Sequence, residues 1–200
     1  MITQNELEIL GCFFPKLADL TAKEIETKSG FSHETTFRLL KKLVQEKHLK
    51  EKKVGKTNVY QFIKDDLTYQ IFVHYTTKKR LKFKEKHFLN HNRLYEFLNE
   101  IQLEGIAIIF GSFAKGTETK NSDLDLLCVT NKKNVREIAQ TFKTKYNINI
   151  QAVVVKMSDF KNMKTDNPPF WEDLIEYGII LDGLDYFFKE VYKNGNYSAS

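Results

Sequence analysis

Two carboxylates one residue apart, Asp123 and Asp125, are the side chains of this sequence whose type and spacing most directly suggest chemistry. In an extended strand, residues two apart project to the same face. Two like charges held that way repel each other unless a cation lies between them. Oxygen ligands at this spacing suit Mg²⁺ or Mn²⁺ bridging to the phosphates of a nucleoside triphosphate. Upstream stand Gly111 and Ser112, with ten residues between Ser112 and Asp123. Gly111 and Gly116 let the chain turn closely, so that backbone N–H groups and the Ser112 hydroxyl can approach phosphate oxygens. The stretch Gly111-Ser112-Phe113-Ala114-Lys115-Gly116-Thr117 is not a P-loop. It lacks a lysine directly after the second glycine, and a carboxylate strand follows it instead of a long helix.

These residues need elements to hold them. Gly105-Ile106-Ala107-Ile108-Ile109-Phe110 predicts a short apolar strand that delivers the Gly-Ser turn. Leu126-Leu127-Cys128-Val129 continues the carboxylate strand, and a helix over Val135–Tyr146 leads to a further strand, Ile148–Val155. On that last strand Asn149 and Gln151 occupy alternate positions. An aromatic helix and the short strand Ile179-Ile180-Leu181 close the stretch Phe170–Gly183.

From about Leu94 to Gly183 this order of strand, Gly-Ser turn, Ser122-Asp123-Leu124-Asp125, helix and strand resembles the DNA polymerase β-like nucleotidyltransferase superfamily, within it the minimal nucleotidyltransferases. The resemblance implies a mixed α/β domain in which Asp123 and Asp125 are catalytic and hold Mg²⁺ or Mn²⁺. Gly111, Ser112, Lys115 and Ser122 would bind the nucleotide. The implied reaction moves a nucleoside monophosphate from ATP or another NTP onto a hydroxyl, with pyrophosphate leaving. Active members of the superfamily usually carry a third acidic residue on the next strand, where this chain has Asn149 and Gln151. An amide cannot act as a base. Asp159, expected in a loop after the strand, is a weak substitute. Nucleotide–metal binding is therefore a firmer expectation than turnover.

The first half reads differently. A short helix over Glu6–Phe14, capped by Gln4 or Asn5 and ended by Pro15, precedes Thr21 and Glu24, which are spaced as a capping box. Gly30 ends the second helix and Ser32 opens a third, running to about Lys47. On the third helix Phe37, Leu39, Leu40, Leu43 and Val44 fall on one arc, with Glu34, Thr35, Arg38, Lys41, Lys42 and Gln45 opposite. Two strands around Gly55-Lys56 form a hairpin with a basic tip. Leu20–Phe62 resembles the winged helix-turn-helix domain of bacterial and archaeal transcription regulators. The resemblance implies double-stranded DNA as partner. Ser32, His33, Thr35, Arg38 and Lys42 would lie on the recognition helix, and Lys53, Lys56 and Asn58 on the wing.

Composition sets the bounds. The 200 residues carry a net charge of +5, and the basic excess lies in the first 90 residues, as suits a polyanion partner for that half alone. No apolar run approaches the length of a spanning helix, and no signal peptide is visible at the N-terminus. Cys12 and Cys128, far apart among apolar neighbours, read as buried thiols of a reducing compartment, and so as a cytoplasmic protein. The fold class expected is α+β, with a winged helix over 1–64, a basic helical linker over 65–82 and a nucleotidyltransferase-like domain over 83–200. Helices are expected over Leu67–Thr77 and Phe83–Glu100. The basic run Lys78–Lys84 between them would be an exposed face or a nucleic-acid surface, and His87 and His91 would be surface histidines. A homodimer would use the apolar residues of the Glu6–Phe14 and Leu67–Thr77 helices, and the Asn194–Ser200 tail would be frayed. Two further functions stand beside the transferase: a non-enzymatic regulator whose second domain senses nucleotide or dimerises, and the antitoxin of a toxin–antitoxin pair that modifies or sequesters its toxin. A partner protein is a candidate acceptor for the transfer.

Overall fold

The computed structural model describes residues 2–193, so the Asn194–Ser200 tail lies outside the described residues. The chain forms two compact units that divide between Tyr75 and Thr76.

The first unit opens with α1 (Gln4–Gly11), whose cap is Thr3 and not Gln4 or Asn5. Thr3 and Glu6 form a capping box, and the helix stops at Gly11, before Pro15 is reached. β1 (Leu20–Thr21) leads into α2 (Ala22–Ser29), capped by the expected box between Thr21 and Glu24. Gly30, at φ +75°, closes α2 in a left-handed conformation that suits a residue without a Cβ. Ser32 caps α3 (His33–Gln45), and β2 (Leu49–Val54) pairs with β3 (Thr57–Phe62) as an antiparallel hairpin. β1 joins β3 on its other edge, giving the order β1-β3-β2. Ile9, Leu10, Ile25, Leu39, Leu40, Leu43 and Phe62 are buried in this unit. Phe14 packs on Phe62, Phe72 and Tyr75. On the two helices expected to form a dimer seam, Ile9, Leu10, Phe14, Ile71 and Phe72 are buried within the chain, while Leu7, Leu67 and Val73 are partly exposed.

One expectation for α3 fails. Phe37 does not join the core and remains 43% exposed, while Thr36 is fully buried in its place among Leu39, Leu40 and Leu43. A 100° step per residue puts Thr36 nearer the centre of the buried arc than Phe37. On the arc expected to be apolar, Phe37 stands at the edge, and the buried face is turned towards Thr36.

The chain then enters α4 (Thr68–Lys86), which continues through the basic run where a helix ending near Thr77 was expected. The basic run contains no glycine or proline, and Lys and Arg are good helix formers, so nothing stops the helix at Thr77. The break comes at His87, and α5 (Phe88–Glu100) follows.

In the second unit, β4 (Ile106–Ile109), β5 (Leu124–Val129), β6 (Ile150–Val155) and β7 (Ile179–Asp182) form a sheet in the order β6-β5-β4-β7. β4 pairs antiparallel with β5 and β7; β5 and β6 are parallel. A parallel pair needs a crossover, and α7 (Val135–Tyr146) supplies it. The core joins Leu94, Phe97, Leu98 and Ile101 of α5 to Val135, Ala139 and Phe142 of α7 and to Leu124, Leu126 and Cys128 of β5. Strand alternation sends Asp125 to the opposite face of β5. Burial in this core pushes the Cys128 thiol up to about 12. Both cysteines are buried thiols. After β6 come α8 (Met157–Asp166), α9 (Pro168–Tyr177), β7 and α10 (Leu184–Phe188). Phe160 packs against Trp171 and Phe187. Among the described residues no helix is long and apolar enough to cross a membrane.

Candidate functional site

β4 ends where the Phe110 N–H donates to the Asp125 carbonyl at 3.0 Å, and the Phe110 ring lies edge-on to Phe170. The chain then turns out of the sheet at Gly111, φ +67°, into α6 (Gly111–Lys115). Gly111 lies directly against the Asp125 carboxylate, and a Cβ there would run into that carboxylate. Only glycine satisfies both the backbone angle and the close approach. The Gly-Ser turn and the second carboxylate are therefore one cluster.

Asp125 is half-buried and its carboxyl is held above the ordinary range, first by burial and then by the charge of Asp123. In the parallel register Asp125 stands level with Gln151 of β6. The Gln151 Nε2 donates to Asp123 Oδ2 at 2.5 Å. The amide expected to replace a third acid thus touches the carboxylate pair itself. Asn149 contributes its backbone carbonyl to the Leu124 N–H. Asp159 is not in a loop as expected but in the first turn of α8, where it accepts from the Lys156 N–H and bonds the Ser158 hydroxyl. Its carboxylate is used locally.

The remaining expected nucleotide ligands are held by other partners. Lys115 pairs with Asp173 at 2.6 Å and lies over the Tyr177 ring. The Ser122 hydroxyl accepts from the Thr119 N–H at 2.8 Å and stiffens the turn before Asp123. Gly116, in a left-handed conformation, closes α6, and the Thr117 N–H donates to the Ser112 carbonyl. Glu118 anchors the same loop through Lys86 at 2.5 Å and His87 at 3.3 Å.

The histidines are a correction. His91 is buried and the His87 side chain is 13% exposed, so neither is a surface residue. His87 lies between the rings of Phe83 and Phe113, and His91 against Tyr95. Burial lowers both pKa values. The basic run is likewise only partly a surface. Lys79 donates to the carbonyls of Glu176 and Gly178 at the end of α9, and burial lowers its pKa to about 8. Arg80 donates to the Tyr95 hydroxyl. Nothing in their sequence context separates these lysines and histidines from solvated ones; only the fold does.

Two carboxylates suit a Mg²⁺ ion whose other ligands are water and nucleotide phosphates. A cation held by both carboxylates would relieve the Asp123 charge that, after burial, raises the Asp125 carboxyl. Among the described residues no group of three or more His, Cys, Asp or Glu side chains could hold a metal. The donor set fits one nucleotide-bridged ion held by Asp123 and Asp125.

In the first unit, the outer face of α3 is lined by His33, Glu34, Phe37, Arg38, Lys41, Lys42 and Gln45. Of the residues expected to meet DNA, Ser32, His33, Arg38, Lys42, Lys53, Lys56 and Asn58 are exposed and Thr35 is partly buried. The Ser32 hydroxyl accepts from the Thr35 N–H and donates to Thr35 Oγ1, and Asn58 donates to Glu51. His33 pairs with Glu26 at 2.6 Å. Lys42 reaches Glu6 at 2.5 Å and Glu46 at 3.6 Å. Glu6 is buried, which alone would raise its carboxyl, but Lys42 and the Thr3 bonds outweigh burial and lower it. Lys42 is therefore committed to the fold. Phe37 and Lys41 were not among the expected contacts, although Lys41 stood on the polar arc of α3.

Comparison with known proteins bears on the second unit. Residues 91–180 match the nucleotidyltransferase domain family. A Methanocaldococcus jannaschii protein named as a candidate protein adenylyltransferase is 36% identical over 91 residues, 41% of this chain and 60% of the relative. The match thus leaves a good part of that relative's length unspanned. A solved structure described as a toxin–antitoxin with AMP-PNP aligns at TM-score 0.38 and 19% identity, covering 54% of this chain and 89% of that one. The C-terminal half of the chain carries a nucleotidyltransferase domain.

Proposed function

We propose that this protein is an adenylyltransferase joined to a winged helix-turn-helix DNA-binding domain. The contact of Gly111 with Asp125, with Asp123 immediately before the start of β5, carries the transferase half of the proposal. Asp123 and Asp125 would hold a Mg²⁺ ion, which when bound neutralises charge on the triphosphate. Gly111 and Ser112 bring the backbone close to the phosphates. The acceptor hydroxyl oxygen forms a bond to the α-phosphorus, the bond from that phosphorus to the α–β bridging oxygen breaks, and pyrophosphate leaves. The hydroxyl proton passes to water, because Gln151 offers no basic oxygen. A protein hydroxyl is the acceptor class suggested by the name of the 36%-identical relative. The order of α2, Gly30, α3 and the β2–β3 hairpin, with Arg38, Lys53 and Lys56 exposed, supports duplex DNA as partner of the first unit.

A second reading rests on one observation, the bond from Gln151 to Asp123. A site with an amide in place of the third acid suits a nucleotide sensor that binds without turnover. Incubation of the full chain with α-labelled ATP, Mg²⁺ or Mn²⁺, and hydroxyl-bearing protein acceptors separates the two. Label on an acceptor with pyrophosphate release, both lost in Asp123→Asn/Asp125→Asn, supports the transferase. Nucleotide binding without release supports the sensor, and Gln151→Asp should then raise transfer.

A further inference from the structure

Phe37 stands out on the exposed side of α3. Its ring is held in place along the helix axis. The His33 ring, one turn earlier, is stacked on it at 16° with centroids 6.2 Å apart. Lys41 Nζ, one turn later, lies 4.8 Å from the ring centre. Residues four apart share a helix face, so the three side chains form a ladder beside Arg38 and Gln45. His33 is itself fixed by Glu26. A lone exposed phenylalanine needs no explanation. This one is a fixed apolar ring on a basic face, where Arg38 and Lys41 have no ion-pair partner among the described residues.

We infer that Phe37 is a base-reading residue whose ring packs on the C5-methyl group of a thymine in the major groove. The inference rests on the DNA-binding domain proposed above. The occupant follows from complementarity: the cations Arg38 and Lys41 beside the ring match phosphates, and the thymine methyl is the apolar group that the major groove presents. Arg38 and Lys41 supply the phosphate or guanine contacts that set the register. A protein partner would need an acidic surface around an apolar pocket, and the hairpin lysines Lys53 and Lys56 extend the basic surface of this unit further than such a pocket requires.

The test selects duplexes from a random pool with the full-length protein, then replaces each thymine of the selected site by deoxyuridine, which removes only the methyl. Wild type should lose about four-fold in affinity at one position per half-site, the worth of one buried methyl group. Phe37→Ala should bind the thymine and uracil duplexes equally, and Phe37→Leu should keep part of the preference. Melting curves of the variants should match wild type, because the ring is outside the core. A selected site without thymine, equal wild-type affinity for every uracil duplex, or an undiminished preference in Phe37→Ala overturns the inference and leaves DNA binding standing. Loss of self-association in Phe37→Ala with the preference intact also overturns it, placing a second copy of the chain on this face. If wild type retains no duplex at about 50 mM salt, the DNA-binding proposal falls and takes this inference with it.

Discussion

At the scale of single residues, the site depends on the contact of Gly111 with Asp125. Gly111→Ala forces a Cβ into that carboxylate at a positive φ, and should cost roughly 1–3 kcal/mol in urea denaturation. It should also remove any stabilisation by ATP and Mg²⁺. The raised Asp125 carboxyl has a pH consequence. A folded-state value above the unfolded one means that the stability it contributes is complete below the ordinary aspartate range. That stability is lost as pH rises through the raised value. Asp125→Asn should therefore melt higher than wild type at pH 7 without nucleotide, and the gap should shrink towards pH 4. A gap that is constant with pH would place the effect elsewhere. These carboxylates were legible in the sequence because spacing of two on a strand and a Gly-Ser turn are local signals. The bond from Gln151 to Asp123 was half legible: alternation flagged the position, but only the register of β6 on β5 brings the amide to the carboxylate.

At the scale of elements, caps and glycines marked the helices well. The Thr21 box, Gly30, Ser32, the β2–β3 hairpin and α7 stand where side-chain chemistry close in sequence puts them. The failures at Lys79 and His91 share one physical cause, tertiary burial of residues that look like surface. Lys79 and His91 are covered by other elements, and Thr36 displaces Phe37 from the core of α3. Lys42 is the instructive case, since its charge serves buried Glu6. Lys42→Met should lower the melting temperature by leaving Glu6 unpaired. Arg38→Ala should leave melting unchanged and weaken binding to duplex DNA in gel-shift titrations. The reverse pattern would show that Lys42 is the DNA contact and Arg38 the structural residue. Thr21→Ala, which removes the cap of α2, should cost about 1 kcal/mol in the same denaturation assay.

At the scale of the whole molecule, the proposed function gives the two units different partners; the basic excess does not separate them, because the lysines and arginine between residues 78 and 86 belong to the second unit. DNA affinity should fall linearly in a plot of log K against log salt, and Arg38→Ala should reduce the slope by about one if that side chain meets a phosphate. Substitutions at Asp123 and Asp125 should leave the slope alone. The central claim is that the second unit binds a nucleotide–metal complex on the face shared by these two carboxylates. Isothermal titration of ATP with Mg²⁺ into the full-length protein tests it most directly. The account predicts one nucleotide bound per chain, dependent on the metal and abolished in Asp123→Asn/Asp125→Asn. No binding by the wild type, or equal binding by the double variant, would contradict it.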